Sequence, residues 1–255
     1  MKILIAYFSG TGNTARISEL LCKEFIHRGE LCDIMPIEEM TLGRTELSLE
    51  AYDLVGLGYP VHALDAPQLF YDFISMLSSK RQSYFLFKTA GSTFMQGGSS
   101  FRIRSHIANL GWRLKYEELF VMPANMFYVP LPGKVEKLYD RALIQIPEMV
   151  DAIISNRKKL LPDNEFLRLG YLFAFLEKRG CRNISRKWSV NDKCTLCGLC
   201  VRKCPTGNIR IVNGKLVFAD SCNLCLRCHW ICPARAIKQD WLEIFLPKTR
   251  FVLPD

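Results

Sequence analysis

The sequence predicts a two-part α/β chain: an open, doubly wound parallel sheet of five strands, followed by a small α+β domain built around cysteines. Three observations predict it. Through the first 160 residues, short apolar runs alternate with stretches of helical periodicity. Eight of the 11 cysteines fall between positions 194 and 232, so composition itself divides the chain. At 255 residues there is room for one medium domain and one small one.

The first strand is Lys2–Tyr7, a continuous apolar run of the kind buried on both faces of a parallel sheet. It runs straight into a Gly-rich loop rather than a cleavage site, so it is not a secretory signal, and the chain is expected to be cytoplasmic. A helix is expected over Ala15–His27, with Ile17, Leu20, Leu21 and Phe25 on its apolar face. Further strands are expected at Leu31–Met35, Asp53–Gly58, Ser83–Ala90 and Leu114–Met122. Helices should lie near Pro67–Leu77, Ser99–Leu110 and Gly133–Arg157. The sheet domain then spans 1–160, and 161–188 reads as a helical linker. Within the linker, an amphipathic helix over Glu165–Arg179 either packs between the domains or offers a face to a partner or a membrane surface. Residues 189–255 form the cysteine domain and a tail whose Trp241–Leu246 is too apolar to hang free. No apolar run approaches the roughly 18 residues that span a bilayer.

The loop after the first strand, Phe8-Ser9-Gly10-Thr11-Gly12-Asn13-Thr14, carries the first chemistry. Strand, Gly/Ser/Thr loop and helix together make an anion site, because unpaired N–H groups at a helix start point at the ligand. Gly10 and Gly12 let the backbone curl, while Ser9, Thr11, Asn13 and Thr14 add hydroxyl and amide donors. A nucleotide-hydrolysing loop would need Gly-Lys-Ser/Thr, and no lysine lies between Phe8 and Lys23. The pattern GxGxxG is incomplete: Gly10-x-Gly12 meets Ala15 at the third position, a partial dinucleotide match.

The cysteines carry the second. They form two copies of one run, Cys194-x2-Cys197-x2-Cys200-x3-Cys204-Pro205 and Cys222-x2-Cys225-x2-Cys228-x3-Cys232-Pro233. This is the spacing of bacterial proteins with two [4Fe–4S] clusters, in which the fourth cysteine of each run reaches the other cluster. One cluster is then expected on Cys194, Cys197, Cys200 and Cys232, and the other on Cys222, Cys225, Cys228 and Cys204. Zinc sites take four ligands in two CxxC pairs with a longer spacer, and disulfides do not persist in reducing compartments, so both fit poorly. Cys22 and Cys32 read as buried packing residues, and Cys181 as a surface thiol.

The formal charge is +9. Residues 1–160 hold 18 basic and 17 acidic side chains, and the rest hold 16 and 8, so the excess lies in the cysteine half. Thiolate-ligated clusters and a bound phosphate bring the holoprotein to about +3. Nucleic-acid binding is therefore not expected, whereas a basic docking face for an acidic redox partner is.

The loop Ser-Gly-Thr-Gly-Asn-Thr resembles the FMN-phosphate loop of flavodoxins, and the whole chain resembles flavodoxin–ferredoxin fusion proteins, found chiefly in anaerobic bacteria and archaea. The resemblance covers about 1–160 and 190–240. It implies a sheet order of 2-1-3-4-5, FMN, two [4Fe–4S] clusters and electron transport. In that order the flavin meets the loops after strands three and four. Its contacts are then expected from Tyr59, Pro60, Val61 and His62, and from Thr89, Gly91, Phe94, Gly97 and Gly98. These loops depart from common flavodoxins, which often carry Trp or Tyr in the first and an acidic stretch in the second. Three readings remain open: a carrier docking with partner oxidoreductases, an FMN-dependent reductase of a small molecule, and a redox or oxygen sensor.

Overall fold

The computed structural model describes residues 1–78, 81–93, 97–126, 131, 133–162, 175–176, 179–180 and 187–239. The amino-terminal domain contains β1 (Lys2–Tyr7), α1 (Asn13–His27), β2 (Leu31–Pro36), a short α2 (Glu38–Thr41), β3 (Leu54–Pro60), α3 (Gln68–Ser75), β4 (Ser83–Ala90), α4 (Phe101–Asn109), β5 (Arg113–Val121) and α5 (Lys134–Ile154). The five strands are all parallel and lie in the order β2-β1-β3-β4-β5. This is the flavodoxin-like doubly wound order. It reverses at β1, so the loops after β1 and β3 meet at the carboxyl edge.

Alternation along each strand feeds two cores. Leu4, Val55, Leu57, Tyr84 and Leu86 face Phe70, Phe73, Ile103 and Ile107. Ile3, Ile5, Phe85 and Phe87 face Ile17, Leu21, Phe25, Met149 and Val150. The rings of Phe85 and Phe87 lie across the glycines of β3: a Cβ on Gly56 or Gly58 would stand 2.3 or 2.2 Å from them. The expected strands and helices therefore stand, with bounds moved by one to three residues at most ends. The unforeseen element is α2, a single turn too short to show a helical period.

The cysteine domain holds β6 (Ser189–Val190), α6 (Leu199–Arg202), β7 (Ile209–Val212), β8 (Lys215–Phe218), α7 (Arg227–Ile231) and β9 (Ile237–Lys238). β6 pairs antiparallel with β9, and β7 with β8. Its small core is Trp188, Ile209, Leu226, Trp230 and Ile237 with the cysteines themselves. The two runs repeat in the backbone as well as in sequence. Leu196 and Leu224, Gly198 and Leu226, and Gly207 and Arg235 are pairs 28 residues apart, and all six have left-handed φ, from 47° to 70°. The loop shape thus forces the same strain twice, and glycine relieves it only in the first copy. The Glu165–Arg179 helix lies outside the described residues apart from 175–176 and 179. Cys181 and the tail from 240 lie outside them entirely.

Among the described residues no helix is long and apolar enough to cross a membrane.

Candidate functional site

The loop after β1 closes on itself and on its neighbours. Gly12 has φ 109° and precedes the first turn of α1, which contains no acidic residue. Its N–H donates to Ser9 Oγ at 3.2 Å. Thr14 and Thr89 share a hydroxyl hydrogen bond of 2.8 Å, which ties the start of α1 to the end of β4. Asn13 Nδ2 donates to the Pro123 carbonyl at 2.8 Å, and Asn125 Nδ2 donates to Thr11 Oγ1. Around this loop lies a cavity lined by Ser9, Gly10, Thr11, Asn13, Thr14, Pro60, Val61, His62, Thr89, Ala90, Gly91, Pro123, Asn125 and Cys225. Apart from His62 and the Cys225 thiol, every lining side chain is non-ionisable. The donors are hydroxyls, amides and the free N–H groups of a helix start. Asn13 Oδ1 is buried with no partner. The residues present fit a phosphate group.

Ten of the expected amino-terminal site residues line this cavity. Tyr59 does not: its ring is fully buried in the core, 4.8 Å from that of Phe70, and its hydroxyl donates to the Ser99 carbonyl at 3.2 Å. Strand alternation explains this, because β3 still runs at Tyr59 and turns its side chain toward α3. Gly12 shapes the loop without lining the cavity. Gly97 and Gly98 open a 3-10 turn, Gly97–Ser100, and Phe94 lies outside the described residues. Asn125, Pro123 and Cys225 were missed. The first two follow β5 directly, at the same carboxyl edge, so topology pointed to them; nothing in sequence pointed to Cys225.

In the cysteine domain the crossed sets come together. Cys194, Cys197, Cys200 and Cys232 line one cavity with Leu216 and Ile237. Cys204, Cys222, Cys225 and Cys228 line another with Trp188, Ile209 and Phe218. Helix α6 carries Cys200 into the first cavity, and the chain leaving its end delivers Cys204 to the second. Amide N–H groups already point at sulfur: Asn208 at Cys204 (3.2 Å), Leu224 at Cys222 (3.3 Å) and Ala236 at Cys232 (3.3 Å). The buried Trp188 lines the second cavity with its indole N–H directed at the Cys222 sulfur, a donor that suits a thiolate or sulfide there. No three His, Cys, Asp or Glu side chains among the described residues are placed to hold one ion; each set surrounds a shared space instead. The donor sets fit clusters.

As free thiols the cysteines differ with burial rather than by set, and burial pushes Cys200 of the first set up as well. The Leu199 N–H holds the exposed Cys197 thiol below its usual range. Burial pushes Cys222 and Cys228 up, and Cys225 up to about 12 despite the nearby Arg227 charge. Cys22 is buried, and its thiol donates to the Cys32 carbonyl at 3.2 Å.

Residues 190–210 match the 4Fe-4S binding domain family. This segment is a 4Fe–4S binding domain. It includes the whole first cysteine run, Cys194–Cys204. No curated protein matches the chain. Among solved structures the chain is similar to flavodoxin 2 from Bacillus cereus, at 19% identity over 61% of this chain and 99% of that one, with a TM-score of 0.46. It is also similar to an NADH:FMN oxidoreductase in its apo form, at 14% identity over 69% and 98%, with a TM-score of 0.46. A short-chain flavodoxin associated with a PDU bacterial microcompartment shares 12% identity over 62% and 100%, with a TM-score of 0.43. The strand order itself, rather than these likenesses, makes the first domain flavodoxin-like. The chain thus joins a flavodoxin-like sheet to a 4Fe–4S binding domain.

Proposed function

We propose that the chain is an electron-transfer iron–sulfur flavoprotein that holds FMN at the β1 loop and two [4Fe–4S] clusters in the cysteine cavities, and that docks with partner oxidoreductases. The observation that supports this most is Cys225, which lines both the second cysteine cavity and the phosphate-loop cavity. Two redox cofactors held there would be neighbours within one chain. FMN supplies a group that accepts one or two electrons, and each cluster passes one. The protein's own part is placement. Ser9, Thr11, Thr14 and the first turn of α1 hold the phosphate; Pro60, Val61, His62, Thr89 and Gly91 form the wall beyond it. Cys194, Cys197, Cys200 and Cys232 take one cluster, and Cys204, Cys222, Cys225 and Cys228 the other. The N–H groups of Asn208, Leu224 and Ala236 stabilise negative charge on sulfur. The basic excess after residue 160 suits an acidic partner in the cytoplasm.

A second reading, an FMN-dependent reductase, is favoured by one feature. A cleft of about 980 Å³ touches His62, Arg102 and Cys222, large enough to admit a small acceptor. Anaerobic purification with flavin, iron and sulfide quantified on one sample tests the main reading. One FMN with about eight irons and eight sulfides per chain supports it. Full iron without FMN refutes the flavin half, and steady turnover of a small acceptor favours the reductase.

A further inference from the structure

We infer that the second cysteine loop is itself a wall of the phosphate-loop site, and that Arg227 is the positioning residue that holds it there. The inference rests on the reading of that site as an FMN site. Three observations carry it. A Cβ on Gly10 would stand 2.4 Å from the Cys225 carbonyl oxygen, so the two loops pass closer than any side chain at that position allows. The backbone of Gly10 does not have the left-handed φ that would otherwise call for glycine. Cys225 also packs against the core of the sheet domain.

Arg227 lies between two cysteines of the second set and reaches across the seam. Its Nη2 donates to the Ser9 carbonyl at 2.5 Å, and its Nη1 is 2.6 Å from Glu38 Oε1 and 3.1 Å from the Lys203 carbonyl. Its guanidinium carbon stands 5.7 Å from the centre of the Phe8 ring, within cation–π range. Ser9 is buried, and its Oγ accepts from Gly12 at the start of α1. One side chain of the cysteine domain therefore fixes the residue on which the phosphate loop turns. Glu38 is buried as well, so the guanidinium is the charge that balances it.

The cysteine domain is too small to fold on its apolar core alone, and ligation supplies its folding energy. Losing the clusters then removes one wall of the flavin site. By reciprocity, bound FMN stabilises the folded second loop.

The test is an FMN titration, followed by flavin fluorescence, of the full chain with clusters, of the same chain stripped of iron, and of Arg227→Gln with clusters. Riboflavin is titrated alongside. We expect stripping and Arg227→Gln each to weaken FMN about tenfold, with much smaller changes for riboflavin, and Arg227→Lys to recover part of the loss. General unfolding would weaken both flavins equally. If Arg227→Gln fails to assemble clusters, the stripped wild-type chain and Arg227→Lys still decide the matter. FMN affinity within twofold of the cluster-loaded wild type in these forms overturns the inference and leaves the flavin site intact. A cluster-loaded wild type that binds no FMN overturns the flavin reading itself and this inference with it.

Discussion

The carboxylate of Glu38 and the guanidinium of Arg227 meet at 2.6 Å, although 188 residues separate them and they belong to different halves of the chain. Glu38 is 7% exposed and its Oε2 has no hydrogen-bond partner. A buried carboxylate deprived of its cation costs several kcal/mol, more than a surface pair contributes. The join is thus fixed by charge at one point and by close backbone approach at another.

Gly10→Ala tests the second of these. The added methyl meets backbone rather than a flexible side chain, so the loops must part by several tenths of an ångström. A cost of about 1–3 kcal/mol is expected, in the range of overpacked cores. A lower thermal transition for the cysteine domain, with the sheet domain's own transition unchanged, is the expected result.

Cys204→Ser tests the crossed ligand sets. It should abolish the cluster of the second cavity although Cys204 belongs to the first run, and lower iron from about eight to about four per chain. Cys232→Ser should do the converse. Electron paramagnetic resonance of the reduced variants distinguishes them, and loss of the same-run cluster would refute the crossing.

Replacing Thr11 and Thr14 together by Val removes two hydroxyl donors and the 2.8 Å bond to Thr89. FMN affinity should fall roughly ten- to hundredfold, about 1.4–2.7 kcal/mol. Riboflavin affinity should change little. Flavin content equal to wild type would remove the phosphate loop from the site.

Lys88 and Glu117, both fully buried, pair at 3.2 Å across β4 and β5, with Arg104 3.1 Å from the same carboxylate. Burial lowers the Lys88 pKa while Glu117 opposes it. Lys88→Met leaves Glu117 poorly balanced and should cost about 3–5 kcal/mol in urea denaturation. Lys88→Met with Glu117→Gln should recover at least half of that, because the amide keeps its bonds without a charge.

Arg235 occupies the left-handed position that Gly207 fills in the first repeat. Arg235→Gly should remove up to about 1 kcal/mol of strain and slow iron loss to a chelator. Faster loss would show that the side chain offsets that strain by other means.

The sheet was legible because burial on both faces leaves long apolar runs, as in Ser83–Ala90, whose bounds were predicted without error. The grouping of the cysteines around two cavities was legible in their repeated spacing. The flavin-ring contacts were less so. Tyr59 looked like a loop aromatic, yet β3 continues to Pro60 and its alternation turns the ring into the core. Cys225 as a wall of the phosphate site was illegible. Its presence there depends on how two domains meet, and no local period or spacing records that. Gly10 is the one trace: the sequence suggests loop curvature there, whereas the Cys225 carbonyl occupies the space a side chain would need.

The 28-residue repeat gives two near-identical loops very different surroundings. Cys197 of the first set is exposed, while Cys225 of the second is set against the sheet domain. The repeated pattern thus supplies an outer post and an inner one. An oxidant, a chelator or a docking protein arriving from solvent meets the outer post first. The molecule accordingly has a front and a back, and wear should begin at the front.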